Sequence, residues 1–164
     1  HITADGSIAN GESMWAARNL KYLPIALAAA IATVDKMKRE AVIENLWKKG
    51  AYLAKSITNE IKACDLEAVF SISGKAPWTY INIIDYKNIH KETIKTLFMQ
   101  EMLKQGILLQ STHNICYAHN DADLSQVIAA YGNTLRLIKQ ALDQNAVGRQ
   151  LNCPAIEPVF QVRG

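Results

Sequence analysis

The residues of this chain best suited to chemistry fall close together, in His113-x-x-Cys116-x-x-His119 with Asp121 and Asp123 just beyond. Imidazole, thiolate and carboxylate are the side chains that bind zinc and other divalent ions. The spacing argues against a shared ion. On a strand, successive side chains point to opposite faces, so Cys116 would face away from both histidines. The aspartates serve better at the start of a helix, where the dipole favours acids. No metal site is expected. The competing reading makes Cys116 a core residue, puts His113 at a loop tip, and gives His119 to the turn before the helix. Lys75 is the one lysine in a Gly/Pro link, Ser73-Gly74-Lys75-Ala76-Pro77. A nucleophilic lysine needs burial or a neighbouring cation to lower its pKa, and this link offers neither. The 8 glycines are scattered, without a dinucleotide or P-loop fingerprint, and no H-E-x-x-H or G-x-S-x-G is present. By motif alone the chain has no self-sufficient active site.

Composition narrows the partners. A formal charge of +3, with lysines dispersed among acids, is not the clustered basic stripe that nucleic acid requires. The densest run, Lys36-Met37-Lys38-Arg39, meets Glu40 at once and reads as a solvated helix end. Three cysteines make no disulfide framework, and a reducing cytoplasm is the expectation. The apolar run Leu23 to Ala32 has the outline of a secretory signal behind Arg18 and Lys21. It is far short of the ~20 residues of a membrane span, and its pattern continues as an amphipathic helix. A buried, Ala-rich helix is expected there.

The elements follow from hydrophobic period. Residues 1–22, punctuated by Gly6, Ser7, Asn10, Gly11 and Ser13, read as a leader or loop, possibly foreign to the family segment, and 23–164 as one domain. A helix starts at Pro24, with Leu27, Ala30, Ile31 and Val34 at helical spacing. A second, from about Ala41, carries Ile43, Leu46, Leu53, Ile57 and Ile61, with Gly50 inside the stripe for close packing. Period two then marks strands over 68–73 and 78–84. A helix from near Ile89 buries Ile94, Leu97, Phe98 and Met102, and Gly106 caps its end. Ile107-Leu108-Leu109 and Ile115 to Ala118 read as short strands joined by a polar, exposed loop, Gln110 to Asn114. Asn120 caps a last helix whose stripe runs Leu124, Val127, Ile128, Tyr131, Leu135, Ile138 and Leu142. After Gly148 the chain is expected to be extended. The fold class is α+β: a small, mostly antiparallel sheet of three to four strands with helices packed on one face.

Several stretches, in order, resemble the small domain of class-III pyridoxal-phosphate-dependent aminotransferases. They are Pro24 to Thr33, the unit Leu97 to Leu103 with Gly106 to Leu109, the segment Ser111 to His119, the acidic helix start Asp121-x-Asp123-Leu124, and the tail from Pro154 with Pro158-Val159-Phe160. The branch they look most like is that of the glutamate-1-semialdehyde aminomutases and their aminotransferase relatives.

What the resemblance implies is a C-terminal small domain of a cytoplasmic, homodimeric enzyme that moves an amino group through a Schiff base. In that family the cofactor's lysine and its acidic partner lie on a large domain upstream, so no catalytic or cofactor-binding residue carries over, and the fragment alone is expected to be inactive. The missing large domain is the implied partner, and pyridoxal phosphate is expected only in the full-length enzyme. The family's Thr-x-x-Gly phosphate turn should precede Pro24, where Asn19-Leu20-Lys21-Tyr22 stands instead. The segment Ser111, Thr112, His113 and Asn114 corresponds to the family's substrate-side loop. Aminomutases tend to have an acid near Ser111, so an aminotransferase of other specificity is favoured. For His113 a plain surface histidine is the competing reading. The alternative for the whole chain is a stand-alone α+β interaction or ligand-sensing module.

Overall fold

The computed structural model describes residues 23–157. The expected leader, the Asn19 to Tyr22 segment and the Pro158-Val159-Phe160 tail lie outside those residues. The chain divides after Ile43 into two units.

The first unit holds most of α1, Leu23–Arg39. Its alanines and leucines are strong helix formers, and its only charged residues come late, from Asp35 on. The expectation of burial is not met. Residues 25–36 are all exposed, with Ile25 at 67% and Ile31 at 62%. Propensity and backbone hydrogen bonds make the helix, and its apolar surface stays open.

The second unit is a sheet with helices on one face, as the period of the sequence requires. Helix α2, Val42–Ala63, turns Leu53, Ile57 and Ile61 to the core, while Ile43, expected in that stripe, is exposed. Gly50 is needed in α2 because a Cβ there would sit on the Ala76 carbonyl and 2.9 Å from the Pro77 nitrogen. The close approach is to a strand turn rather than to a helix. Strands β1, Phe70–Lys75, and β2, Trp78–Ile83, form an antiparallel hairpin with Phe70 opposite Ile83 and Lys75 opposite Trp78. The turn is therefore just Ala76-Pro77, and Gly74 and Lys75 belong to the strand.

Helix α3, Lys91–Lys104, buries Ile94, Leu97, Phe98 and Met102. The Asp85 carboxylate accepts the Lys91 N–H at 2.8 Å, which satisfies one of the free donors at its start. At its end Gly106 has φ +79°. The Gly106 N–H donates to Leu103 O and the Ile107 N–H to Met102 O, the paired closure for which glycine is favoured.

The third strand is not where apolar runs suggested. β3 is Thr112–Asn114, the segment expected to be an exposed loop. It pairs antiparallel with β2, His113 opposite Thr79, and the sheet order is β1-β2-β3. Neither 107–109 nor 115–118 is a strand. Ile107 and Leu109 dip toward the core as Leu108 points out, 84% exposed. Helix α4, Asp121–Asp143, begins with a full capping box: the Asn120 side chain accepts from Ala122 N and Asp123 N, and Asp123 accepts from Asn120 N at 2.8 Å. Its stripe of Leu124, Tyr131, Leu135, Ile138 and Leu142 is buried. A short 3₁₀ turn, Val147–Gln150, leads to a segment without regular structure. Gln100 and Thr96 of α3 hold that segment, accepting from Asn152 N and Ile156 N.

The core lies between helices and sheet. Phe70, Phe98, Tyr131 and His113 follow one another at ring separations of 5.9, 5.4 and 5.6 Å, so β1, α3, α4 and β3 share one row of rings. Cys64 is buried at the end of α2, whereas Cys116 and Cys153 are exposed, and all three are free. No helix among the described residues is long and apolar enough to cross a membrane.

Candidate functional site

The segment 111–114 is held as a strand, and the strand sorts its side chains. His113 points inward and is 6% exposed, which overturns the expected loop tip. The physical reason is a pair of hydroxyls that satisfy both ring nitrogens. Nδ1 lies 2.9 Å from Thr79 Oγ1 on β2, and Nε2 lies 2.6 Å from the Tyr131 hydroxyl on α4. A buried imidazole with two such partners is stable when neutral. Burial lowers its pKa from 6.5 to about 4 and raises that of Tyr131 well above the ordinary tyrosine value. His113 is thus a bolt between sheet and helix rather than a free acid or base.

Thr112 and Asn114 face the other way. They pair with Tyr80 and Trp78, so these four side chains share the open face of the sheet. Trp78 and Tyr80 are exposed, with rings 5.7 Å apart. On the same face Asn82 Nδ2 donates to Ser73 Oγ at 2.9 Å. The face is aromatic and amide- or hydroxyl-bearing, and Lys75, opposite Trp78, is the charged residue that the register adds to it. Ser111 is set apart. Its carbonyl accepts from Ile81 N at 3.0 Å, and it borders a cleft of about 510 Å³ with Asn82, Lys91, Glu92 and Lys95.

A larger pocket, about 580 Å³, opens beside β3 between α2 and the start of α4. Leu53, Leu109, Ile115, Leu124 and Val127 give it apolar walls, and His113 and His119 contribute imidazoles. His119 Nδ1 accepts from Cys116 N at 3.2 Å, and the Lys49 ammonium donates to the His119 carbonyl. The possible metal ligands are therefore already committed: His113 to two hydroxyls, His119 to a backbone N–H, Asp123 to the helix cap. Among the described residues no group of three such side chains is placed to hold an ion.

Pyridoxal phosphate needs a lysine for covalent attachment, an acid for the ring nitrogen and donors for the phosphate. The larger pocket has no lysine or arginine in its wall. Lys75 is exposed, and Lys91 of the second cleft is 4.0 Å from the Glu92 carboxylate. The described residues do not form a cradle for that cofactor. Sequence reasoning missed Tyr131 and Thr79 as partners of His113, and Trp78 and Tyr80 as neighbours of Thr112 and Asn114. The signal for the second pair was available in the alternation of β2.

Comparison with known proteins finds several curated relatives. The 3-aminobutyryl-CoA aminotransferase of Cloacimonas acidaminovorans is 24% identical over 120 residues, 71% of this chain and 28% of that protein. The glutamate-1-semialdehyde 2,1-aminomutase of Desulfitobacterium hafniense is 30% identical over 142 residues, 79% of this chain and 32% of its own. That of Roseiflexus castenholzii is 26% identical over 144 residues, 82% and 33%. No family model matches, and no solved structure does. The chain spans about a third of the length of the curated relatives it matches. By sequence, this chain is similar to a part, about one third, of class-III pyridoxal-phosphate-dependent aminotransferases of the glutamate-1-semialdehyde aminomutase kind.

Proposed function

We propose that residues 23–164 are the C-terminal small domain of a class-III aminotransferase and that the open sheet face forms a wall of its substrate site. The observation that carries this reading is the register of β3. It sets Thr112 and Asn114, in the segment that resembles the family's substrate-side loop, beside Tyr80 and Trp78 on a face that no helix covers. Ser111, Thr112, Asn114, Trp78 and Tyr80 bind and orient the substrate, and His113 holds their strand in place from behind. When bound, pyridoxal phosphate supplies the electron sink for amino-group transfer. Its lysine, acid and phosphate donors belong to a large domain outside this chain. Ser111, where aminomutases tend to have an acid, favours an aminotransferase of other specificity. A homodimer in a reducing cytoplasm goes with this reading, and the three free cysteines are in keeping with it.

The expected result is a contrast between two proteins. The product of the complete gene, mixed with pyridoxal phosphate, gains a visible absorption band that borohydride fixes onto a lysine outside these 164 residues. The present chain alone gains none. A reducible band assigned by peptide mapping to one lysine of this chain would defeat the proposal.

A stand-alone ligand-sensing module is the second reading, favoured by the 580 Å³ pocket with its apolar walls, a size in which small ligands bind. A complete gene without a lysine-bearing α/β domain upstream would decide for it.

A further inference from the structure

Helix α1 presents a surface that water does not suit. Ile25, Leu27, Ile31 and Val34 are all exposed, and so are the alanines between them. A helix apolar on every side is normally a buried one. Leu27, Ala30, Ile31 and Val34 recur at the spacing of a narrow helix–helix seam, and alanine at the middle of it permits close approach. We propose that α1 pairs with α1 of a second copy of this chain, antiparallel, about a twofold axis near Ala30.

The charge pattern selects both the partner and the direction. Lys36, Lys38 and Arg39 lie in the last turn, and no acid lies in the first. Parallel pairing would bring the cationic turns of both copies together at one end. Antiparallel pairing about Ala30 leaves them on the order of 20 Å apart along the axis, beyond the ~8 Å over which charges act at physiological salt. The apolar stretches then overlap along their whole length. The contact is self-complementary, so it closes at two copies and leaves no seam for a third. A helix of 17 residues is about 25 Å long. One such contact belongs to the small interface class, so dissociation is expected at micromolar concentration. The pairing follows from α1 alone and does not depend on any enzymatic role.

Sedimentation of the full 164-residue chain from about 1 to 200 μM, the span in which a micromolar dimer dissociates, tests this. Its mass is expected to double across that range. Ile31→Lys is expected to raise the dissociation constant at least ~10-fold, a change of the size expected for losing one buried side chain, with an unchanged far-ultraviolet spectrum. With Cys116 and Cys153 replaced by serine, Ala30→Cys is expected to form a disulfide-linked dimer under mild oxidation. Val34→Cys, displaced from the axis and so distant from its twin, is expected not to. A monomer at every concentration, or association that Ile31→Lys leaves intact, overturns the proposal. Equal cross-linking at both cysteines rejects the antiparallel direction.

Discussion

Replacing Gly50 by alanine is expected to destabilise the fold by roughly 2–3 kcal/mol, the range for forcing extra volume into a packed contact. The sign is the informative part. Alanine is about 1 kcal/mol better than glycine inside a helix, so helical propensity alone calls for a gain. The surroundings reverse it. The added methyl would collide with the Ala76 carbonyl, and the neighbouring atoms are backbone, ending with the Pro77 nitrogen at 2.9 Å. A side chain could rotate away; a two-residue turn between paired strands cannot. Either α2 lifts from the hairpin or the Lys75–Trp78 pair is lost. Urea titration of the variant reads the cost directly. Ala51→Gly, at an exposed position one residue on, serves as the control for propensity, with an expected loss of about 1 kcal/mol. A neutral or stabilising Gly50→Ala would mean that the hairpin turn does not lie against α2.

Acid is expected to weaken this protein through His113 before it touches most carboxylates. The imidazole is neutral when folded because burial lowers its pKa to about 4, against 6.5 ordinarily. The unfolded chain therefore binds the proton first as pH falls. The stability due to this group is complete above about pH 6.5, declines through the interval from 6.5 to 4, and is gone below it. Its size is on the order of 3 kcal/mol at most. The hydrogen bonds are not the source, since the hydroxyls of Thr79 and Tyr131 can accept from a charged ring as well as serve a neutral one. The source is the cost of charge in a dry place. A His113→Gln variant separates this group from the other titrating residues. It should be less stable than the parent at pH 7.5 and draw level with it near pH 4.5. A gap that stays constant across that range would show that burial of the imidazole is not what the proton opposes.

Much of the architecture was legible because it depends on residues near one another in sequence. The stripe Leu53, Ile57, Ile61 identifies the inner face of α2, and Asn120 with Asp123 announces the start of α4. The hairpin of β1 and β2 shows in strict alternation. β3 does not, since Thr-His-Asn has neither apolar character nor length. It is a strand because β2 offers an unpaired edge and because two hydroxyls, 34 and 18 residues distant in the chain, receive its histidine. Apolar content misled at 107–109. There the residues cover the core singly, and Leu108 is left outside. Tyr131 was legible as a core residue of α4 but not as a hydrogen-bond partner, because a helical stripe records which side faces inward and nothing of what waits there. The exposure of α1 was likewise invisible: composition can make a helix greasy without saying what covers it.

The distribution of the three thiols supplies a clock for the opening of this core. Cys116 and Cys153 stand in solvent and Cys64 does not. Burial also raises the pKa of the Cys64 thiol, an effect that Arg136 partly offsets and Glu60 adds to, so its reactive thiolate is scarce while the fold holds. An alkylating reagent should therefore mark two sites at once and the third only as often as the end of α2 comes loose. The slow increment in mass would time that excursion in the unmutated protein, without dye, denaturant or isotope.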